Sequence, residues 1–157
     1  MEEKKLEYHA YLSKISDCPS KDCTEKERDS FRWAHNPIKQ EDFIPLAFED
    51  SRRVLDETDE NQCKSYGLSL YDSLEQAVRQ YKAVYENQRT VIRQNKWKAS
   101  KGEQVVFIRL HINDGVSSES NKNGHFTFYN YMNINILKKV KEIFNIFNTN
   151  GDDSNKK

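Results

Sequence analysis

Glycine and proline are scarce in this chain, 5 and 3 among 157 residues. Scattered glycines cannot build a loop that cradles phosphates through backbone N–H groups, and neither a P-loop nor GxGxxG is present. Paired-histidine metal motifs such as HExxH are absent as well. Nucleotide-dependent motors, kinases and metalloproteases are thereby excluded. No apolar run approaches the roughly 18 residues that a membrane-spanning helix needs. The first residues, MEEKKLEYHAYLSKI, are acidic at the start and lack the cationic and apolar regions of a signal peptide, so a cytoplasmic protein with no membrane partner is expected. Net charge is lacking too: 25 basic residues balance 25 acidic ones, which gives no global pull towards nucleic acid.

Cysteine is sparse and odd in number, Cys18, Cys23 and Cys63. In a chain without a secretion signal the expectation is free thiols. Cys18, Cys23, Cys63 and His35 sketch a zinc site only at the loose limit of ligand spacing, with no second close pair, so no metal is expected.

What the chain has is aromatic bulk, 8 Phe, 8 Tyr and 2 Trp, enough for a lean core in one domain. The clearest signals lie in SYGLSLYDSLEQAVRQYKAVY, Ser65 to Tyr85. Tyr66, Leu68 and Leu70 alternate with Gly67, Ser69 and Tyr71, the two-residue period of a strand. Ser73 and Gln76 then make a capping-box pair. From Leu74 to Tyr85 the apolar residues Ala77, Val78, Tyr81, Val84 and Tyr85 fall on one helical stripe.

Around this corner the pattern predicts an α+β fold. A single domain over residues 30–148 carries a mixed, mostly antiparallel sheet with the Leu74 to Tyr85 helix packed on it. Residues 1–29 form an N-terminal helix and linker, thinly apolar and loosely docked, and 149–157 a disordered tail. SFRWAHNP reads as the first core strand, with Phe31, Trp33 and His35 on one face, Arg32 and Ala34 on the other, and Pro37 ending it. EDFIPLAFED suits a packed irregular segment or very short helix. Arg52 to Lys64 is acidic and aperiodic, a solvated loop that is either a lid or filler. EQVVFIRLHI, apolar on both faces, is the strongest strand pattern. Asp114-Gly115 is a turn, SSESNKNG a polar loop, and HFTFYNYM a late strand. NINILKKVKEIFNIF fits either a helix or a short helix followed by a closing strand.

These strands outline a cleft with Arg32 and His35 on the first, Ser69 and Tyr71 on the second, and His125 and Thr127 on a late one. Each residue also has a structural reading. Arg32 suits a surface ion pair, His35 a satisfied turn histidine, Ser69 beside Gly67 close packing, and Tyr71 and Tyr129 core rims. No nucleophilic triad is legible, because Ser69 lacks the glycine frame of a nucleophile elbow. Arg89, Arg93, Lys96, Trp97, Lys98 and Lys101 form a local basic patch, which supports salt-sensitive phosphate attraction with Trp97 stacking on a base, or a solvated helix end.

FRWAHNP, GLSLYDSLEQA and a late H-x-T-x-Y strand resemble the ADP-ribosyltransferase-like group, including the RES-domain toxins. The resemblance spans roughly Phe31 to Phe147. It implies NAD as substrate in a cleft between two small sheets, with Arg32 or His35 holding the dinucleotide and Tyr71 and His125 contributing to its binding. Arg32, Ser69, Tyr71 and Glu142 would then carry transferase or glycohydrolase chemistry, Glu142 as the nearest late acid although it sits in no clear motif. The chain is also similar to small bacterial proteins sharing R-x-x-H-N-P, D-F-x-P, G-L-S-L-Y-D-S-L-E-x-A and H-x-T-x-Y, a likeness that brings no activity. Three functions are open: a non-catalytic interaction or regulatory domain with an unidentified protein partner, which is favoured; an NAD-handling enzyme or toxin effector, as in a toxin-antitoxin pair; and a nucleic-acid or phosphate binder.

Overall fold

A computed structural model describes residues 4–49 and 58–147. Six strands form one antiparallel sheet in the order β4-β5-β2-β1-β3-β6. They are β1 (Arg28–Ala34), β2 (Leu68–Tyr71), β3 (Gln104–Leu110), β4 (Gly115–Ser117), β5 (His125–Asn130) and β6 (Val140–Asn145). The helices are α1 (His9–Leu12), α2 (Leu46–Glu49), α3 (Asp59–Ser65), α4 (Leu74–Glu86) and α5 (Val91–Lys101), with 3-10 turns at Gln40–Phe43 and Ile136–Lys139. The fold is the expected α+β domain with α4 on the sheet.

Local chemistry explains the helix starts. The hydroxyls of Thr58, Ser73 and Thr90 accept hydrogen bonds from the backbone N–H of Asn61, Gln76 and Arg93, satisfying donors that a first turn leaves unpaired. Helix α4 then buries Ala77 and Tyr81 completely against Val105, Trp33 and Tyr71. The Tyr81 hydroxyl donates to the Gly102 carbonyl, and the Trp33 indole to the Ala77 carbonyl at 2.9 Å. Gly102 is required there: its φ is +84°, and a Cβ would lie 2.1 Å from the Ala34 carbonyl oxygen. The opposite face of the sheet carries Leu68, Leu70, Val106, Ile108, Phe126 and Phe128, capped by Ile136.

Several details depart from the sequence reading. Cys18 and Cys63 form a disulfide, so only Cys23 is free, and the expectation of three free thiols is overturned. The contact is non-local, 45 residues apart, which spacing alone does not reveal. The N-terminal helix is a single turn, but Leu12 is buried with Cys63 and Tyr129, and backbone bridges join Leu6 to Tyr131 and Thr24 to Ser117. This segment is therefore part of the core, not a loosely docked appendage. The end of the acidic 52–64 loop is helix α3, capped by Thr58, while 50–57 lie outside the described residues. Gly115, expected in a turn, instead opens β4, which runs to Ser117 at the start of the polar loop and pairs with β5. Residues 136–145 take the second of the two open alternatives, a short turn and a closing strand. The 149–157 tail lies outside the described residues. Among the described residues no helix is long and apolar enough to cross a membrane.

One feature of the register governs the site. β1 runs beside β3 through an unbroken register from Arg28↔Leu110 to Ala34↔Gln104, and β2 beside β5 from Leu68↔Phe128 to Tyr71↔His125. Between β1 and β2 the only register pair is Phe31↔Tyr71. Beyond that pair the two strands part, so the sheet opens between β4-β5-β2 and β1-β3-β6.

Candidate functional site

The opening is a cleft of about 730 Å³, a size ordinary for small-molecule sites. Its walls come from β1 (Arg32, Trp33), the 3-10 turn (Glu41, Asp42), α2 (Leu46, Phe48, Glu49), α3 (Asn61, Lys64, Ser65), β2 (Ser69, Tyr71) and the end of α5 (Ser100, Lys101). Alternation places Arg32 on the face of β1 opposite Trp33. Because β1 and β2 diverge, its guanidinium reaches across the gap and donates from Nε to the Asp42 carbonyl at 2.7 Å and from Nη1 to the Ser69 carbonyl at 2.9 Å.

Arg32 has no carboxylate within ion-pair distance among the described residues, although burial works against its charge and pulls its pKa down, with Glu49 and Asp42 pulling the other way. Arg28 shows the contrast. It pairs with Asp72 at 2.7 Å, donates to Ser117, Ser118 and Ser120, and lies 3.6 Å over the Phe126 ring. That guanidinium is fully engaged in holding β1 to the β4–β5 side. Arg32 keeps donors in reserve at the floor of a cleft, which is the arrangement that suits an anion.

His35 is occupied structurally. Its Nδ1 meets the Asp42 carboxylate at 2.5 Å and its Nε2 the Ala99 carbonyl at 2.8 Å, and only an imidazolium donates from both nitrogens. Burial lowers its pKa, but the bonds to Asp42 and Ala99 outweigh it and the net shift is upward. Asp42 also accepts from the backbone N–H of His35 and Lys39. Burial raises the Asp42 pKa, but its bonds to His35 and Lys39 outweigh that and the net shift is downward. The pair clamps the turn to β1 and leaves His35 no nitrogen for a ligand.

Ser69, exposed on β2, shares its hydroxyl with His125 Nε2 on β5 at 2.7 Å. The His125 ring also packs edge-on against Tyr71, centroids 5.3 Å apart. Burial first, then Lys64, lowers the His125 pKa, so the ring is neutral near pH 7. Burial pushes the Tyr71 hydroxyl up to about 12 against the opposing pull of Arg32. His125 and Thr127 line a second cavity of about 460 Å³ behind this pair, together with Cys23, Cys63 and Tyr129.

The structure thus brings Arg32, Ser69, Tyr71 and His125 into one connected group drawn from three strands. It does not bring Glu142 there: that residue is exposed on the edge strand β6, with β3 and β1 between it and β2. The acids that do line the cleft are Glu41, Asp42 and Glu49, and Asp42 is committed to His35. Asp42 was visible in the D-F-x-P motif. Glu49 and Lys64 enter only through the packing of α2 and α3, which no local pattern announces. The basic patch divides. Arg89, Arg93 and Lys96 are exposed on and just before α5, but Trp97 packs against Tyr81 at 4.4 Å and Trp33 at 5.5 Å. Lys98 lies over the rings of Phe147 and Tyr85. Trp97 is half-buried, its ring packed on Tyr81 and Trp33 rather than presented alongside the exposed basic side chains. Among the described residues no group of three or more His, Cys, Asp or Glu side chains is placed to hold a metal ion.

No family model, curated protein or solved structure matches the chain. The functional reading therefore rests on the cleft itself.

Proposed function

We propose that this protein is an NAD-handling enzyme of ADP-ribosyltransferase-like type, acting as a transferase or glycohydrolase in the cleft where the sheet opens. The observation that carries this reading is the convergence of Arg32, Ser69 and Tyr71 on one cleft floored by a guanidinium with no acidic partner among the described residues. Arg32 takes the diphosphate, with Lys39, Lys64 and Lys101 at the walls adding to the attraction. Trp33, Phe48 and Tyr71 offer aromatic faces to a base or to nicotinamide. Glu49 replaces Glu142 as the acid that stabilises positive charge growing on the ribose as nicotinamide departs.

A cleft of this size supports an enzyme over the flat interaction surface of a regulatory domain, and the packing of the half-buried Trp97 on Tyr81 and Trp33 argues against its stacking on a base. The Cys18–Cys63 bridge bears on setting. Reducing cytoplasm keeps such thiols apart, so the bridge favours a chain that works in oxidising surroundings, as an exported effector does, over the cytoplasmic placement suggested by the N-terminal residues. Incubation of the purified protein with NAD, followed by measurement of free nicotinamide, tests the reading. Release is expected from the wild type, with a loss of at least about 100-fold in Arg32→Ala and Glu49→Gln, as removal of a group that stabilises developing charge costs elsewhere. Absence of release with protein and nucleic-acid acceptors present refutes it.

A further inference from the structure

We propose that Ser69 and His125 are a nucleophile and its general base, able to accept an activated acyl group onto Ser69 Oγ from an ester that carries a negative charge. Three observations converge on it. The Oγ–Nε2 separation of 2.7 Å is hydrogen-bonding distance, and in the tautomer with Nε2 unprotonated the hydroxyl donates to the imidazole, the relation that activates serine for attack. Ser69 is exposed on a cleft wall although it sits on an inner strand of the sheet, with β5 on one side and β1 on the other. Arg32 donates to the backbone carbonyl of the same serine at 2.9 Å and lines the same cleft, so its charge favours an anionic ester there.

The imidazole is held for the task by packing rather than by a carboxylate. Tyr71 of β2 lies edge-on to it, and its own backbone N–H is fixed by the Asn121 side chain at 3.0 Å. Facing it are Lys64 and Glu60 of α3, with Asp22 and Glu119 from the loops across the second cavity. Burial and Lys64 keep the ring unprotonated and free to take a proton. The step balances: the Ser69 O–H bond breaks as its proton passes to Nε2, a bond forms from Oγ to the acyl carbon, and the ester C–O bond breaks. The leaving oxygen takes the proton from Nε2, and water removes the acyl group by the same route.

This inference stands apart from the NAD reading, since its test uses no dinucleotide. The full chain is incubated with a fluorophosphonate probe, and the adduct is mapped by peptide mass spectrometry. A single adduct on Ser69 is expected, absent from Ser69→Ala, and formed about 100-fold more slowly in a His125→Gln chain whose circular dichroism matches the wild type. In the wild type the midpoint of the fall in rate with pH should lie below 6.5, the ordinary histidine value, because the folded His125 pKa is depressed. A probe bearing a carboxylate should label faster than its neutral alkyl analogue. Folded wild-type protein that forms no Ser69 adduct, or labels many serines equally, overturns the proposal. So does a His125→Gln chain that reacts at the wild-type rate, a wild-type rate independent of pH down to complete protonation of histidine, or faster labelling by the neutral probe.

Discussion

Reducing the Cys18–Cys63 bridge should lower stability by an amount that the chain separation sets. The bridge closes a loop of 45 residues, and the loss of loop-closure entropy from the unfolded chain corresponds to about 4 kcal/mol at 25 °C. For a chain of 157 residues, roughly 2–4 °C of melting temperature per kcal/mol applies, so reduction should lower the midpoint by about 8–16 °C. The effect reaches the cleft, because the bridge ties the N-terminal segment to α3, which supplies Asn61, Lys64 and Ser65 to the cleft wall. Thermal melts followed by circular dichroism with and without a phosphine reductant measure the shift. Cys23→Ser should respond to reductant as the wild type does, and the double variant Cys18→Ser, Cys63→Ser should not respond at all. Three thiols titratable before any reductant is added would refute the bridge, and a midpoint unmoved by a reductant that frees all three would refute the loop-entropy account.

The His35–Asp42 clamp makes stability depend on pH from both sides. The folded His35 pKa is raised above 6.5, so its contribution is complete below that value and fades as pH rises through the folded value. The folded Asp42 pKa is depressed below 3.8, so its contribution is present above 3.8 and fades as pH falls through the folded value. Urea unfolding from about pH 2 to about pH 9, a span that brackets the ordinary carboxylate and histidine values, should show His35→Gln flattening the alkaline limb; equal slopes in the two chains would sink the assignment. Tyr81→Phe leaves the Gly102 carbonyl without its buried donor and should cost about 1 kcal/mol, read from denaturant midpoints; an unchanged midpoint contradicts it. Trp97→Ala should destabilise by about 3 kcal/mol through lost packing on Tyr81 and Trp33. A selective loss of nucleic-acid affinity at unchanged stability would instead restore the stacking role.

Where one element carries its own signals, the sequence was legible. The Ser73 cap, the stripe through Ala77 and Tyr81, and the alternation up to Tyr71 each depend on neighbours a few residues away; α4 formed as read, while β2 begins only at Leu68 because Tyr66 caps the end of α3. Arg32, Ser69, Tyr71 and His125 were legible as a group because strand alternation and motif order put them on adjacent strands. What depended on distant partners was not. The Cys18–Cys63 bridge joins residues 45 apart, Trp97 turns inward because α5 folds back onto Trp33 and Tyr81, and Glu142 lies on a far edge because β6 pairs with β3. Arg32 shows both sides. Its face was read correctly from β1, yet its reach into the cleft follows from the single register pair between β1 and β2, a tertiary fact.

The cleft's occupancy by NAD is the claim on which the functional account turns, and amide hydrogen exchange on the full chain with and without NAD tests it most directly. Slower exchange is expected at Arg32 to Ala34, through Gln40–Glu49 and from Asn61 to Tyr71, with the solvent face of α5 unchanged. Protection confined to α5, or no change at any concentration of NAD, would contradict it.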